Sequence, residues 1–230
     1  MKARPKSLEN AVIRLPGKLL KRAFFEDAPE RVAPRLLGKV LARRTRAGWL
    51  AGRIVEVEAY LGPQHATPDP AAHSFRGPTP RNAVLFGPAG VAYVYSIYGM
   101  YFCMNITCDR DGQAGCILLR ALEPVAGLQQ MARNRGLDSR ATGRELTGGP
   151  GRLCQALGLT REKHNGMDLL DGDSPLQVLD DGTRVKQVLV TRRIGIRHAV
   201  ELPLRFAIPG DTCVSGPKRL AGRHVFLRPG

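Results

Sequence analysis

Residues 49–60 read WLAGRIVEVEAY. β-Branched and aromatic side chains crowd this run, and apolar and charged residues alternate after Arg53, which predicts a strand. Strict alternation puts Glu56, Glu58 and Tyr60 on one face, with Val55 and Val57 on the other. Burying two carboxylates in an apolar strand is costly unless each is paired. Either the face is solvated, or one carboxylate is a general base and its neighbour is structural. Residues 116–122, CILLRAL, hold the complementary anomaly. Arg120 in such a strand needs a carboxylate, and one of the two glutamates is its candidate partner.

Outward from these strands, residues 91–106 (VAYVYSIYGMYFCMNI) predict a hairpin turning near Tyr98 and Gly99. Residues 61–90 are rich in Pro and Gly, and an irregular segment of that length in a compact domain points to function. Upstream, helical spacing from Leu19 to Arg43, broken near Pro29 and Pro34, predicts two short helices, the second (Val32–Leu37) feeding a strand at Gly38–Arg43. Downstream, Val125–Arg135 predicts a helix and Leu146–Leu159 a second helical run. Leu176–Leu179, Lys186–Thr191 and Leu204–Ile208 read as short strands. No repeat or linker divides the chain. The expectation is one mixed α+β domain over residues 17–230, preceded by a basic, flexible arm over residues 1–16.

The chain has 230 residues, and its 43% hydrophobic and 24% charged residues are ordinary for a globular protein. No apolar run approaches the ~20 residues of a membrane span, and the N-terminus lacks the apolar stretch of a secretory signal. The 35 Lys and Arg outnumber 20 Asp and Glu, giving a formal charge of +15. Arginine supplies most of the excess and pairs bidentately with phosphate, so a polyanionic partner is expected. Cysteines at 103, 108, 116, 154 and 213 form no CxxC pair and have no histidine at zinc-ligand spacing. They read as buried free thiols, and no metal or cofactor is assigned.

All five tyrosines fall between Tyr60 and Tyr101. Tyr93 and Tyr95 share a strand face, while Tyr98 sits at the turn, where a core side chain has no place. Aromatic faces in a basic protein suit base stacking, and an apolar tip suits wedging into a duplex. The alternative for Tyr93 and Tyr101 is cross-strand aromatic pairing. Residues 148–152, GGPGR, open a helical run as a phosphate-binding turn would, without the Lys-Ser/Thr of a nucleotide loop. His73 in AAHS and Asn105 in CMNI are polar residues within the same elements.

Taken together, RIVEVEAYLGP (53–63), AAHS (71–74), TPRN (79–82), YVYSIYGMYFCMNI (93–106), ILLRALEP (117–124) and GPGRLCQALGL (149–159) resemble the alkyladenine (3-methyladenine) DNA glycosylase family. RIGIRHA (193–199) and PLRF (203–206) add to the likeness, which runs from Leu36 to Phe206. The resemblance implies a curved antiparallel sheet with a protruding hairpin that enters DNA. It implies monofunctional excision of alkylated or deaminated purines: 3-methyladenine, 7-methylguanine, hypoxanthine and ethenoadenine. By position, Glu58 resembles the general base, and Arg120 and the carbonyl of Ile194 help to hold its water. Tyr60, His73 and Tyr95 would stack around a flipped base, and Asn105 would clash with the exocyclic amine of guanine. Tyr98 would fill the gap in the duplex. Thr79, Arg81, Met100, Arg135 and Arg152 fall where the family meets DNA. The implied partner is double-stranded DNA with damaged purines, met by a monomer in the cytoplasm or, in a eukaryote, the nucleus, without membrane. The loop over residues 62–81 departs from the family pattern and carries a second histidine, His65. No lysine occurs between Lys39 and Lys163, so a Schiff-base lyase step is not expected. The competing readings are a non-catalytic binder of distorted DNA or RNA and a formyl-transfer or nucleotide-processing enzyme. For the latter, no nucleotide or folate motif is found.

Overall fold

The long strand β3 (Gly48–Tyr60) organises the molecule. The structure is a computed structural model that describes residues 15, 17–216 and 222–226, so the predicted basic arm lies outside the described residues but for Leu15. On one edge, the first half of β3 pairs with β2 (Val40–Thr45), and residues 56–58 pair with β9 (Arg205–Ala207). Its other edge pairs from Ala51 to Tyr60 with β6 (Gly115–Ala126). All ladders are antiparallel. β1 (Lys18–Leu19) and β7 (Leu176–Asp180) extend the sheet beyond β2, and β5 (Tyr101–Cys108) and β4 (Ala92–Ile97) extend it beyond β6. β8 (Gln187–Thr191) joins β9 to β10 (Arg223–Phe226).

Helices α1 (Pro29–Leu36), α2 (Leu128–Arg135), α3 (Gly143–Thr147) and α4 (Pro150–Leu157) share one core with this sheet. Val32, Leu36, Met131, Leu146 and Leu153 meet Ile54, Val57, Met104, Ile106 and Leu119 there, all buried. A fifth helix, α5 (Arg161–His164), packs against β4. The period-2 rule explains what remains. While Val94, Met104 and Ile106 enter that core, their neighbours Tyr93, Tyr95, Cys103 and Asn105 face the opposite side. Apolar residues alternating with polar and aromatic ones therefore leave one face of the sheet free for a site.

Three expectations change. Val55 and Val57 do not share a face, because Val57 joins the main core while Val55 packs with Ala121, Ala207, Cys213 and Val214. The cause is a pair of compensating irregularities. Between the pairs Ile54↔Leu122 and Glu56↔Ala121, β3 holds one extra residue; between Glu56↔Ala121 and Val57↔Leu119, β6 holds one, namely Arg120. Bulges re-aim side chains without ending the ladder. Nor does the helix after β6 begin at Val125. β6 continues to Ala126, and α2 starts after Gly127, whose φ of +76° suits glycine. A Cβ there would lie 2.6 Å from the Trp49 carbonyl oxygen. The run after Leu146 is also broken, since Gly148 and Gly149 separate α3 from α4.

Candidate active site

Glu56 and Glu58 are fully buried, which excludes the solvated-face reading of their strand. Their partners differ. Glu56 Oε1 accepts bonds from Arg120 Nε (2.9 Å), Arg205 Nε (2.7 Å) and Ser215 Oγ (2.9 Å). The Ser215 backbone N–H donates to Oε2 at 2.6 Å. Glu56 is therefore consumed by structure, joining β6, β9 and the segment at Ser215. Glu58 receives the Ile194 backbone N–H on Oε1 (2.7 Å) and the Tyr60 hydroxyl on Oε2 (3.1 Å). Arg120 Nη1 lies 3.2 Å from Oε2. Arg120 thus serves both carboxylates rather than one.

Glu58 stands behind a cavity of about 470 Å³ on the free face of the sheet. That volume falls within the range of small-ligand pockets. Tyr60, His73, Tyr95, Tyr98, Asn105, Arg120 and Ile194, from six separate stretches of chain, all line it. The rings of Tyr93 and Tyr95 stack with centroids 5.3 Å apart, and His73 meets Tyr95 edge-on at 4.6 Å. Tyr93 is paired across the ladder with Asn105 and Tyr101 with Ile97, so cross-strand aromatic pairing is not what gathers the tyrosines. His73 Nδ1 is 3.1 Å from the Tyr93 hydroxyl oxygen. The Cys116 thiol points at Asn105 Oδ1, 3.7 Å away.

Burial sets the protonation of this lining. It raises the phenols of Tyr60 and Tyr95 far above the usual range, with Glu58 adding to the shift at Tyr60 and Cys103 at Tyr95. Tyr93 is pushed up to about 12, again chiefly by burial. Burial also lifts the thiols of Cys103 to about 11 and Cys116 to about 12. Desolvation, with Arg81 nearby, lowers the pKa of His73. The cavity therefore offers neutral aromatic faces near neutral pH, with the Glu58–Arg120 pair at its back. Such a site can sandwich a flat heterocycle, favour a cationic one, and deliver a water activated by a carboxylate.

Tyr98 projects from the hairpin tip beside the cavity and is 89% exposed. It has a φ of +50° and Gly99 one of +71°, the signs of a primed hairpin turn. Met100 is exposed next to it. Thr79 and Arg81 flank one side, lining a neighbouring concavity with His73, and Arg81 Nη2 reaches the Ser96 carbonyl at 3.4 Å. On the other side is the start of α4: Pro150 lines the cavity, Gly151 packs near Tyr101, and Arg152 is exposed. Arg135 is more committed, bonding the Gln155 side chain and the Glu145 carbonyl. A larger concavity of about 790 Å³, lined by Arg144, Leu189, Asp211 and His224 among others, has no tyrosine in its described lining.

Four residues at or beneath the site escaped the sequence reading: Asp69, Arg193, Arg205 and Ser215. Arg193 and Asp69 form a bidentate pair at 2.7 Å, with both side chains fully buried. The guanidinium carbon of Arg193 lies 4.6 Å from the centroid of Tyr60. His65 is placed outside the cavity, against Glu30 of α1 at 3.1 Å. All five cysteines are free and buried. Among the described residues no cluster of three or more His, Cys, Asp or Glu could hold a metal ion. Nor is any helix among them long and apolar enough to cross a membrane.

Known proteins resemble this chain over most of its length. The family model of methylpurine-DNA glycosylase (MPG) matches residues 23–212. A protein named "Putative 3-methyladenine DNA glycosylase" from Koribacter versatilis is 53% identical over 201 residues, 87% of this chain and 95% of its own. Proteins of the same name from Burkholderia lata (47% over 205 residues, 89% and 94% of the two chains) and Methanoculleus marisnigri (47% over 200 residues, 85% and 98%) are similar throughout. With a family model spanning most of its length and relatives alike over more than four-fifths of the chain, the chain belongs to the methylpurine-DNA glycosylase family.

Proposed function

We propose that this DNA glycosylase is monofunctional and acts as a monomer on double-stranded DNA containing damaged purines. It flips 3-methyladenine, 7-methylguanine, hypoxanthine or ethenoadenine out of the duplex and hydrolyses the N-glycosidic bond. Extruding a base costs a few kcal/mol. Tyr98 offsets part of that cost by filling the vacated space, and Tyr60, His73 and Tyr95 do so by stacking on the flipped base. Electron-rich phenol faces favour the cationic rings of alkylated purines by cation–π attraction. Asn105 disfavours guanine through its exocyclic amine. Thr79, Arg81, Met100, Arg135 and Arg152 hold the flanking DNA.

Glu58 takes a proton from water, with Arg120 and the Ile194 carbonyl helping to hold that water. Its oxygen then bonds to the anomeric carbon as the bond to the purine nitrogen breaks; the electron pair stays on that nitrogen, which neutralises a cationic base, while a neutral base takes up the proton that the water has given up. A free base and an abasic sugar result. Among the described residues no lysine lines the cavity, and the strand is left intact at the abasic site.

The observation that carries this reading is the Glu58 carboxylate, wholly buried behind an aromatic cavity in a basic protein. A protein that only binds distorted nucleic acid gains nothing from a negative charge placed there. The test is single-turnover excision on a hypoxanthine duplex, with abasic sites revealed by alkali. Glu58→Gln keeps the shape but cannot take the proton, so the rate should fall by ~10²–10⁴ while lesion binding persists. Excision by Glu58→Gln at the wild-type rate, or strand cleavage without alkali, would overturn the proposal.

A further inference from the structure

Two of the three donors to Glu58 are set by one ion pair that neither hydrogen-bonds Glu58 nor itself lines the cavity. Arg193 immediately precedes Ile194, whose N–H bonds Glu58. Its guanidinium covers one face of Tyr60, whose hydroxyl also bonds Glu58. Arg193 in turn is held by the Asp69 carboxylate and donates to the Ala59 carbonyl at 3.0 Å. Asp69 further accepts the backbone N–H groups of Leu61 (3.1 Å) and Ala71 (3.3 Å), which brings in the loop carrying His73. The end of β3, the irregular loop and the segment at Ile194 thus converge on one buried pair.

Stability is a poor reason for such a pair. Burying two charges costs about what their attraction returns, and an apolar pair often does as well. Here Arg193 Nε also lacks a hydrogen-bond partner among the described residues. Orientation is the better reason. The rigid guanidinium fork fixes both the plane of the Tyr60 ring and the backbone at Ile194, as a lysine ammonium could not.

We infer that Asp69 and Arg193 are positioning residues that aim the Tyr60 hydroxyl and the Ile194 N–H at Glu58. This rests on the reading of Glu58 as general base. The pair acts through Glu58 and takes no part in bond making.

The double variant Asp69→Asn/Arg193→Met removes both charges, keeps an acceptor for the Leu61 N–H and fills the space over Tyr60. Its single-turnover excision of hypoxanthine should fall roughly 30- to 100-fold, the scale of a misplaced catalytic group. Affinity for the lesion duplex should stay within about 3-fold and the thermal midpoint should fall only modestly, since removing both charges together leaves neither one buried without its partner. Arg193→Lys, which retains charge, should be slowed similarly and carries the test if the double variant does not fold. In a Glu58→Gln background the same substitutions should cost less than about 3-fold more, because contacts acting through one group are not additive. Excision near the wild-type rate by the pair variants overturns the inference, as does an undiminished further loss beside Glu58→Gln or a loss confined to affinity. If Glu58→Gln alone is fully active, the general-base reading fails instead, and the inference with it.

Discussion

Glu56 and Glu58 are two residues apart on one strand, equally buried and both in contact with Arg120, yet their surroundings give them different work. Four hydrogen bonds fill the carboxylate of Glu56, two of them from guanidinium groups. Removing its charge strands Arg120 and Arg205 in the interior, and breaking a buried pair costs about 3–5 kcal/mol. For a chain of this size that corresponds to a fall of roughly 6–20 °C in thermal midpoint. Calorimetry on Glu56→Gln should show it, while excision per folded molecule stays well above that of Glu58→Gln; an unchanged midpoint would remove the network from the stability of the fold. Glu58, Arg120 and Tyr98 were legible in the sequence because each contradicts its own neighbourhood: charge in an apolar strand, or an aromatic at a turn. Asp69, Arg193 and Ser215 contradict nothing nearby, whereas Arg205 in the apolar run 204–208 carries the same anomaly as Arg120 and was passed over. Arg193 pairs with Asp69 across 124 residues, and Arg205 with Glu56 across 149, so only the folded chain announces these pairings.

At the level of elements, what could be read depended on whether the signal was local. The hairpin of β4 and β5 was legible from alternation and from Gly99. The bulges at Val55 and Arg120 were not, because each exists only in the register between two strands, and alternation at Val55 misled for that reason. β1 and β10 are strands by virtue of their partners alone. Helix α3 was readable but overlooked. Thr142 and Glu145 form a reciprocal capping box, with the Thr142 N–H donating to Glu145 Oε2 at 2.7 Å, a T-x-x-E signature present in the sequence. The exposed hairpin tip supplies this scale's prediction. Tyr98 buries little in the free protein, so Tyr98→Ala should leave the thermal midpoint within about 2 °C, as surface changes usually do. Its affinity for lesion DNA and its excision rate should both drop, because a flipped base loses the wedge that keeps it out. A midpoint lower by several degrees would mark Tyr98 as a packing residue instead.

The whole molecule responds to pH through groups whose ionisation folding perturbs. Burial, with Arg43 adding to it, lowers the pKa of His164 beneath its ordinary 6.5. The unfolded chain then binds the proton more readily than the folded one. Stability from this group is complete above pH 6.5 and drains away as the pH falls towards the lowered value. Asp181 works further down the scale. The Arg53 guanidinium beside it holds its carboxyl well below the ordinary 3.8, so its contribution persists at mild acidity and is lost only as the pH falls below 3.8. Urea unfolding at pH 7 and pH 5 should therefore show wild type losing stability that His164→Gln does not lose. An equal loss in both would place the proton uptake elsewhere.

The same whole-molecule view governs how this glycosylase meets DNA. A formal charge of +15 makes affinity a matter of displaced counterions, so the logarithm of the association constant should fall linearly with the logarithm of salt. Each phosphate contact contributes a slope of about 0.9, and losing one arginine should flatten the line by ~1. The arginines around the cavity are not equally free. Arg152, exposed in the first turn of α4, makes one long bond of 3.4 Å to the Arg144 carbonyl, and Arg81 has a similar one to Ser96. Arg135 spends its two terminal nitrogens on Gln155 and the Glu145 carbonyl. Arg81→Ala and Arg152→Ala should each remove nearly a full unit of slope, and Arg135→Ala less. Fluorescence anisotropy with a lesion duplex across 50–300 mM salt reads this directly, at about the range where such slopes are resolved. If Arg152→Ala weakens binding without changing the slope, its effect comes through the packing of α4 against the hairpin. If neither affinity nor slope moves, the start of α4 lies outside the interface, and DNA crosses the cavity on the side of Thr79 and Arg81.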